Sequence, residues 1–389
     1  MVTSPEPPRS PSRQIQIATP ALGDAEFRAV REVLESGWLT QGPKVAAFEK
    51  AFAVRHGVNT ALATTSCTTA LHLALLCADV GPGDEVIVPA FTWVATANAA
   101  IYCGAVPVFA DVDVRTFNID PADVARRVTP RTKAVVAVHL FGLAADVDGL
   151  AAVLPPGVHI IEDAACAAGA TYRGRSVGGL GTAAAFSFHP RKAITTGEGG
   201  MLTTNDPGVA ARAARLRNHG GSISEEERHH GPRPYLLPDF DVVGFNYRMT
   251  DLQGAVGLVQ LGKLDSFINE RQHWADHYTA ELSDLKWLRT PKAHGNDRHA
   301  WQSYVTYVDS STAPKSRDEI MEILQSRGVA TRPGTHAVHM LGYYRDHFGL
   351  NADDYPGARD AARRSMAIPL HNKMTADDYR YVIDALRSL

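Results

Sequence analysis

Between Thr60 and Asp206 the chain repeats one pattern: a short apolar run, nearly free of charge, followed by an Ala-rich stretch of helical composition. The runs are Thr60–Ala63, Val86–Pro89, Val106–Phe109, Lys133–His139, Val158–Glu162, Ala184–Phe188 and Met201–Thr203. A strand with one wet face alternates apolar and polar residues, whereas strands this continuously apolar must be covered on both faces. The pattern therefore predicts a mainly parallel sheet inside two layers of helix, with several connections of βαβ length. In such sheets ligands bind beyond the carboxyl ends of the strands, which says where chemistry is to be sought.

The uncharged stretch Val86–Ala110 is long enough to raise the question of a membrane span. Pro89, Asn98, Gly104 and Pro107 punctuate it, and strand, helix (Trp93–Tyr102) and strand account for all four, so no membrane span is expected. With 389 residues the chain exceeds what one hydrophobic core usually organises. Met1–Gln14, rich in Pro, Ser and Arg and without an apolar core, reads as a disordered leader rather than a secretory signal. Residues 15–262 are expected to form a large domain and 263–389 a smaller α+β domain. A long helix from Thr250 towards Leu282 would join them, although Gly254, Gly257 and Gly262 weaken its first half. Strands at Ser303–Val308 and Val329–Arg332 and helices at Arg317–Ser326 and Ala376–Leu386 complete the smaller unit.

Lys and Arg number 39 against 42 Asp and Glu, a net charge of -3 that argues against a generally basic nucleic-acid binder. The four cysteines (Cys67, Cys77, Cys103, Cys166) form no C-x-x-C pair, so neither a disulfide framework nor a zinc site is expected, and a reducing cytoplasm fits. His229-His230 resembles a metal pair but follows the charged run Glu225–Arg228 and reads as solvated loop.

Three strand ends carry reactive groups. Asp163 stands at the tip of Val158–Glu162. Lys192 follows Ala184–Phe188 and His189-Pro190-Arg191, ahead of the loop Thr195–Gly200, where its amine can serve as a nucleophile that forms a Schiff base. Thr64-Thr65-Ser66-Cys67-Thr68 opens a helix, and free N–H groups at a helix start, with hydroxyls beside them, suit a phosphate. Singly these read as a cap, a solvated lysine and an N-cap. Together they are what pyridoxal phosphate needs: a cradle for the phosphate, an amine for the aldehyde, and an acid to keep the pyridine nitrogen protonated.

The order and surroundings of these groups resemble the DegT/DnrJ/StrS family of pyridoxal phosphate-dependent sugar aminotransferases, from Ile15 to the C-terminus. The resemblance rests on Ser36–Pro43, Gly81–Val86, Phe91–Asn98, Glu162–Ala165, Ser187–Pro190 with Lys192, and Gly244–Met249. It implies the fold-type I, aspartate aminotransferase-like α/β architecture. It also implies Lys192 as Schiff-base lysine and proton carrier, Asp163 as partner of the pyridine nitrogen, and Trp93 stacked on the ring. Ser66, Thr68 and Ser187 match phosphate contacts, with Cys67 and Cys166 at cofactor-facing positions. Asn246 matches a residue given to the neighbouring subunit's phosphate, which makes the active site a property of a homodimer. Trp38, Thr40, His189, Arg332 and His339 are expected near the substrate, as is His336. Three departures stand out: Cys67 where the family commonly has Gly, Cys166 where it has Gln or His, and Ala168 where it has His. A Cβ at Cys67 is expected to crowd the phosphate or alter the loop.

The leading expectation is transfer of an amino group from L-glutamate or L-glutamine to a nucleotide-linked keto sugar, with pyridoxamine phosphate formed midway. A keto-cyclitol acceptor is the nearest rival. A pyridoxamine-dependent sugar dehydratase is disfavoured because the resemblance there implies His in place of Lys192. A non-catalytic cofactor-binding regulator lacks any appended DNA-binding segment. No G-x-G-x-x-G follows the first strand to suggest a nicotinamide dehydrogenase.

Overall fold

The structure is a computed structural model of the full chain, described here for residues 13–223, 235, 237–293, 295 and 297–389. All but the last two residues of the expected leader, and His229-His230, lie outside the described residues. Fourteen strands are present among them. In chain order they are β1 (Thr60–Thr64), β2 (Glu85–Pro89), β3 (Phe91–Thr92), β4 (Val106–Ala110), β5 (Thr132–Val138), β6 (His159–Asp163) and β7 (Thr171–Tyr172). The remainder are β8 (Arg175–Ser176), β9 (Ala183–Ser187), β10 (Gly200–Thr204), β11 (Leu288–Arg289), β12 (Tyr304–Val308), β13 (His336–Ala337) and β14 (Ser365–Ile368).

Seven strands form one sheet in the order β1-β10-β9-β6-β5-β2-β4. Only β10 runs against its neighbours; β9, β6, β5, β2 and β4 pair in parallel. Successive residues of β9 go to opposite cores, as strands buried on both faces require. Ala183 and Ala185 pack with Leu71, Leu73 and Ala97 from the helices Cys67–Cys77 and Ala95–Tyr102. Ala184 and Phe186 pack with Phe48, Phe52, Leu264 and Ile268 from Pro43–His56 and Asp251–Glu281. The expected helix over Trp93–Tyr102 begins at Ala95, leaving Trp93 on the turn after β3.

The helix Asp251–Glu281 is capped by Thr250, whose hydroxyl accepts from Gln253 N–H. Its glycines are contact points: a Cβ at Gly254 would strike the Val45 backbone, and one at Gly257 the Phe48 ring. Their weak helix propensity is offset by the close crossing with Pro43–His56 that they permit. The same helix enters a second core through Ala275 and Tyr278, where the antiparallel sheet β11-β12-β14 and the helices Arg317–Ser326 and Ala376–Arg387 gather Tyr304, Leu324 and Tyr379. The expected strand Val329–Arg332 is instead two isolated bridges, Val329 to Ile15 and Arg332 to Ala367. The segment changes partners midway, and Pro333 has no N–H with which to extend the second ladder. No helix among the described residues is long and apolar enough to cross a membrane.

His56 is fully enclosed, its Nδ1 donating to Phe52 O (3.1 Å) while Nε2 accepts from Gly169 N–H (3.3 Å). A ring that donates at one nitrogen and accepts at the other is neutral, and burial pushes its pKa down to about 4. The unfolded ring, near 6.5, binds a proton that the folded one refuses, so this stabilisation is full above pH ~6.5 and is lost as pH falls towards 4. Unfolding free energy is expected to fall by about 1.4 kcal/mol per pH unit on account of His56 alone. Urea unfolding of His56→Leu at pH 7 and pH 5 should show a pH slope smaller by about one proton. An unchanged slope would contradict the neutral, enclosed ring.

Candidate active site

The carboxyl ends of β1, β9 and β6 meet at one edge of the sheet, with the amino end of β10 between the first two. Thr64 lies opposite Gly200 and Gly200 opposite Ser187, while Asp163 lies opposite Ala185. The register thus brings the cradle, the lysine loop and the acid into one row.

Ser66 is extended and caps the helix Cys67–Cys77, its Oγ accepting Thr69 N–H at 3.2 Å. A hydroxyl that accepts still has its proton to donate. The N–H groups of Cys67 and Thr68 find no acceptor among the described residues. A Cβ at Gly200 would collide with the backbone of Ser66 and Cys67, so β10 can run directly beneath this turn only with glycine there. Cys67 does not have a positive φ, and its thiol turns back to donate to Ala185 O at 3.5 Å. Burial, with Asp163 nearby, pushes that thiol well up, so it stays uncharged beside an anion site. The Cys67 thiol is thus turned towards β9.

Asp163 is 5% exposed. Its Oδ2 accepts Thr96 Oγ1–H at 2.8 Å and its Oδ1 accepts Ala165 N–H at 3.2 Å. Burial pushes its carboxyl above the usual range, and Thr96, Ala165 and Lys192 only partly offset this. Such an acid is completed by a buried cation. Its neighbour Glu162 faces the other way and is saturated: it accepts Gly178, Leu180 and Gly181 N–H at 2.8–2.9 Å and lies 3.0 Å from His139 Nε2. Because His139 Nδ1 accepts Ala145 N–H (3.0 Å), Nε2 carries the proton it gives to Glu162. Burial alone would raise Glu162, but these donors outweigh it and hold the carboxyl below the usual range.

The loop after β9 is tied at its base, Phe188 N–H donating to Gly199 O and Thr196 N–H to Phe188 O. Within it Lys192 N–H donates to His189 O, and Lys192 Nζ donates to Cys166 Sγ at 3.2 Å. Half-buried Ser187 accepts His189 N–H at 3.4 Å. Trp93 is 55% exposed, edge-on to His336 at 5.4 Å, because β3 and β13 pair His336 with Thr92. Thr96, one helical turn after Trp93, links that segment to Asp163. Sequence reasoning overlooked this tie, although Thr96 lies inside the motif around Trp93.

Arg332 and His189 are placed beside this cluster: Lys192 bears electrostatically on His189, and Cys166 on Arg332. His339 is wholly enclosed, Nε2 facing Ala352 O at 3.4 Å and its ring edge-on to Tyr355. Trp38 donates Nε1–H to Gln41 O (3.1 Å), and Thr40 O accepts Asp251 N–H, on the turn before Pro43–His56. Asn246 is exposed and bridges to Asn218, whose Oδ1 accepts Arg248 Nη1–H at 2.8 Å. No cluster of His, Cys, Asp or Glu among the described residues could hold a metal ion.

A helix start with unused N–H groups, a buried acid without a buried cation and an amine held at the next strand end fit pyridoxal phosphate. The DegT/DnrJ/EryC1/StrS aminotransferase family matches residues 20–387. The chain is 42% identical to the spore coat polysaccharide biosynthesis protein SpsC of Bacillus subtilis, over 95% of each chain. It is 41% identical to the GDP-perosamine synthase of Caulobacter vibrioides, over 96% of this chain and 97% of the other. The putative sugar aminotransferase Spr1654 of Streptococcus pneumoniae, solved in a pyridoxal phosphate form, superposes with a TM-score of 0.88 at 28% identity, covering 96% of this chain and 98% of that one. The chain belongs to the DegT/DnrJ/EryC1/StrS aminotransferase family and is a pyridoxal phosphate-dependent aminotransferase.

Proposed function

We propose that the enzyme transfers the amino group of L-glutamate to a nucleotide-linked keto sugar, working as a homodimer in a reducing, cytoplasmic setting. The observation that carries this reading is the row of three strand ends with a free helix start, an enclosed Asp163 and Lys192 Nζ together. The bound cofactor supplies an aldehyde that captures amines and a ring that takes up the electrons left when a C–H proton departs. Lys192 Nζ would hold it at rest, and while free would take the proton from the donor α-carbon in one half-reaction and deliver one to the former ketone carbon in the other. Cys166 keeps that amine in place while it is free. Asp163, fixed by Thr96, would keep the ring nitrogen protonated, and Trp93 would stack on the ring.

Likeness to a GDP-perosamine synthase over nearly the whole chain supports the nucleotide-linked acceptor. Near Asn246 in the chain, the apolar side chains Leu237, Phe240 and Val243 (90% exposed) stand out to solvent, which supports a partner surface there and hence the dimer. All four cysteines are free.

The first test is the absorption spectrum of the holoenzyme with L-glutamate. The visible cofactor band is expected to bleach and to return on adding a keto sugar nucleotide. A band that answers to no L-amino acid would overturn the reading. A band restored by keto-cyclitols alone would replace the acceptor.

A further inference from the structure

Lys192 Nζ lies 3.2 Å from Cys166 Sγ, with the amine donating to the sulfur. The contact joins two neighbouring strand ends, since Cys166 follows β6 and Lys192 follows β9. Both backbones are fixed. Around Cys166, Ala164 N–H donates to Ala185 O, Ala165 N–H to Asp163 Oδ1 and Ala167 N–H to Ala164 O. On the other side Lys192 N–H donates to His189 O. The sulfur is held on a short side chain, and the flexible lysine stem is the part that can close on it. A thiol is a weak hydrogen-bond partner for an amine, and what sets cysteine apart is its reactivity.

The other three thiols are placed differently. Burial pushes Cys77 and Cys103 up to about 12, and burial, with Asp163 nearby, pushes Cys67 well up. The thiolate is the form that oxidants attack, so these three are poor targets. Cys67 Sγ is moreover turned to Ala185 O at 3.5 Å. Cys166 and Lys192 are both partly exposed, which leaves the pair open to a molecule as small as a peroxide.

We propose that Cys166 and Lys192 form a reversible oxidative cross-link, closed by a peroxide while the amine is free. Hydrogen peroxide takes two electrons from the thiol, giving a sulfenic acid and one water. The neutral Lys192 amine then attacks that sulfur. The S–N bond forms, the S–O bond breaks, and the hydroxide leaves with the amine's proton as a second water. The product, a sulfenamide, is two hydrogens lighter than the open pair. A small thiol breaks the S–N bond and returns the amine, and a second one frees Cys166 as the reductant becomes a disulfide. The closed bond consumes the amine assigned to tethering and proton transfer, so oxidation would arrest the protein between its half-reactions. That consequence rests on the aminotransferase reading of Lys192; the cross-link itself does not.

The test loads the protein with pyridoxamine phosphate, which leaves the amine free, then applies hydrogen peroxide and maps tryptic peptides by mass without reductant. The segments bearing Cys166 and Lys192 are expected in one species lighter by two hydrogens, with cleavage after Lys192 lost. The visible band formed on exchange into pyridoxal phosphate should fall in proportion to the linked fraction, and dithiothreitol should restore it. Cys67→Ser should link as wild type does. In Lys192→Ala the sulfenic acid should persist and take up dimedone, which the wild-type chain should not. Wild-type Cys166 driven to the sulfinic acid, with Lys192 still cleavable, would overturn the proposal. So would a disulfide between Cys67 and Cys166. Protein loaded with pyridoxal phosphate should resist the peroxide. If it links just as fast, Lys192 is not the tether and that part of the functional reading fails, while the cross-link stands.

Discussion

Lys192→Ala is expected to lower turnover by about 10⁴-fold or more, because one side chain performs two tasks there, tethering and proton transfer. The fold should be indifferent to the change. Lys192 is half-buried, it is paired with no carboxylate, and its amine touches the Cys166 thiol at 3.2 Å. Removing it breaks no ion pair among the described residues and takes from buried Asp163 only one of several offsetting influences, so the thermal midpoint should move little. The cradle at Ser66–Thr68 and the acid at Asp163 remain, so the variant should still take up the cofactor, now without a covalent bond. Borohydride followed by mass spectrometry should add the reduced cofactor's mass to the wild-type chain and nothing to the variant. The dimer can be tested with the same protein. If Asn246 completes the neighbour's phosphate site, mixing inactive Lys192→Ala with Asn246→Ala subunits should restore a fraction of wild-type turnover. Turnover above a tenth of wild type in Lys192→Ala alone would remove the lysine from its role.

How far the sequence anticipates this geometry depends on how local each cause is. The sheet strands are legible because both of their faces are buried, and seven apolar runs nearly free of charge follow directly from that requirement. The reversed direction of β10 is less so, since Gly200–Thr204 has the same composition as its parallel neighbours. The cue was the connection: residues 189–199 contain no helix to carry the chain back across the sheet, so the next strand returns antiparallel. Asp163, Lys192 and the Ser66–Thr68 turn are legible as reactive groups at strand tips. Their partners are not. His139 meets Glu162 only because β5 and β6 are neighbours, and Thr96 meets Asp163 only because the Ala95–Tyr102 helix, packed on β2 and β4, starts beside the tip of β6. Cys67 illustrates the same limit, for nothing local in the sequence says that β9 offers its thiol a carbonyl. His336 and His339, three residues apart, are separated by a short helical turn that points the first at Trp93 and encloses the second behind Tyr355.

The acid gives the second large effect, and its sign separates a functional group from a structural cap. Asp163→Asn is expected to reduce turnover by about 10²- to 10³-fold, the usual loss when one preorganised charge is removed from an enclosed site. Cofactor affinity should fall with it. The apo-protein, by contrast, should be as stable as wild type or slightly more so. Asp163 is 5% exposed, burial raises its pKa, and no buried cation repays the desolvation of its charge until the cofactor is bound. An amide of the same shape removes that charge, and Thr96 Oγ1, which also meets Thr92 Oγ1 at 3.0 Å, can turn to accept from the new NH2 group. A mere cap would behave the other way round, losing stability with the carboxylate and leaving turnover intact. Thr96→Val provides the graded comparison, since it keeps the charge but deletes the donor that aims Oδ2, and about a tenfold loss of turnover is expected. Apo-protein melting and steady-state rates on the three proteins decide the matter. If Asp163→Asn melts several degrees early yet turns over normally, the carboxylate is a cap and some other group protonates the ring.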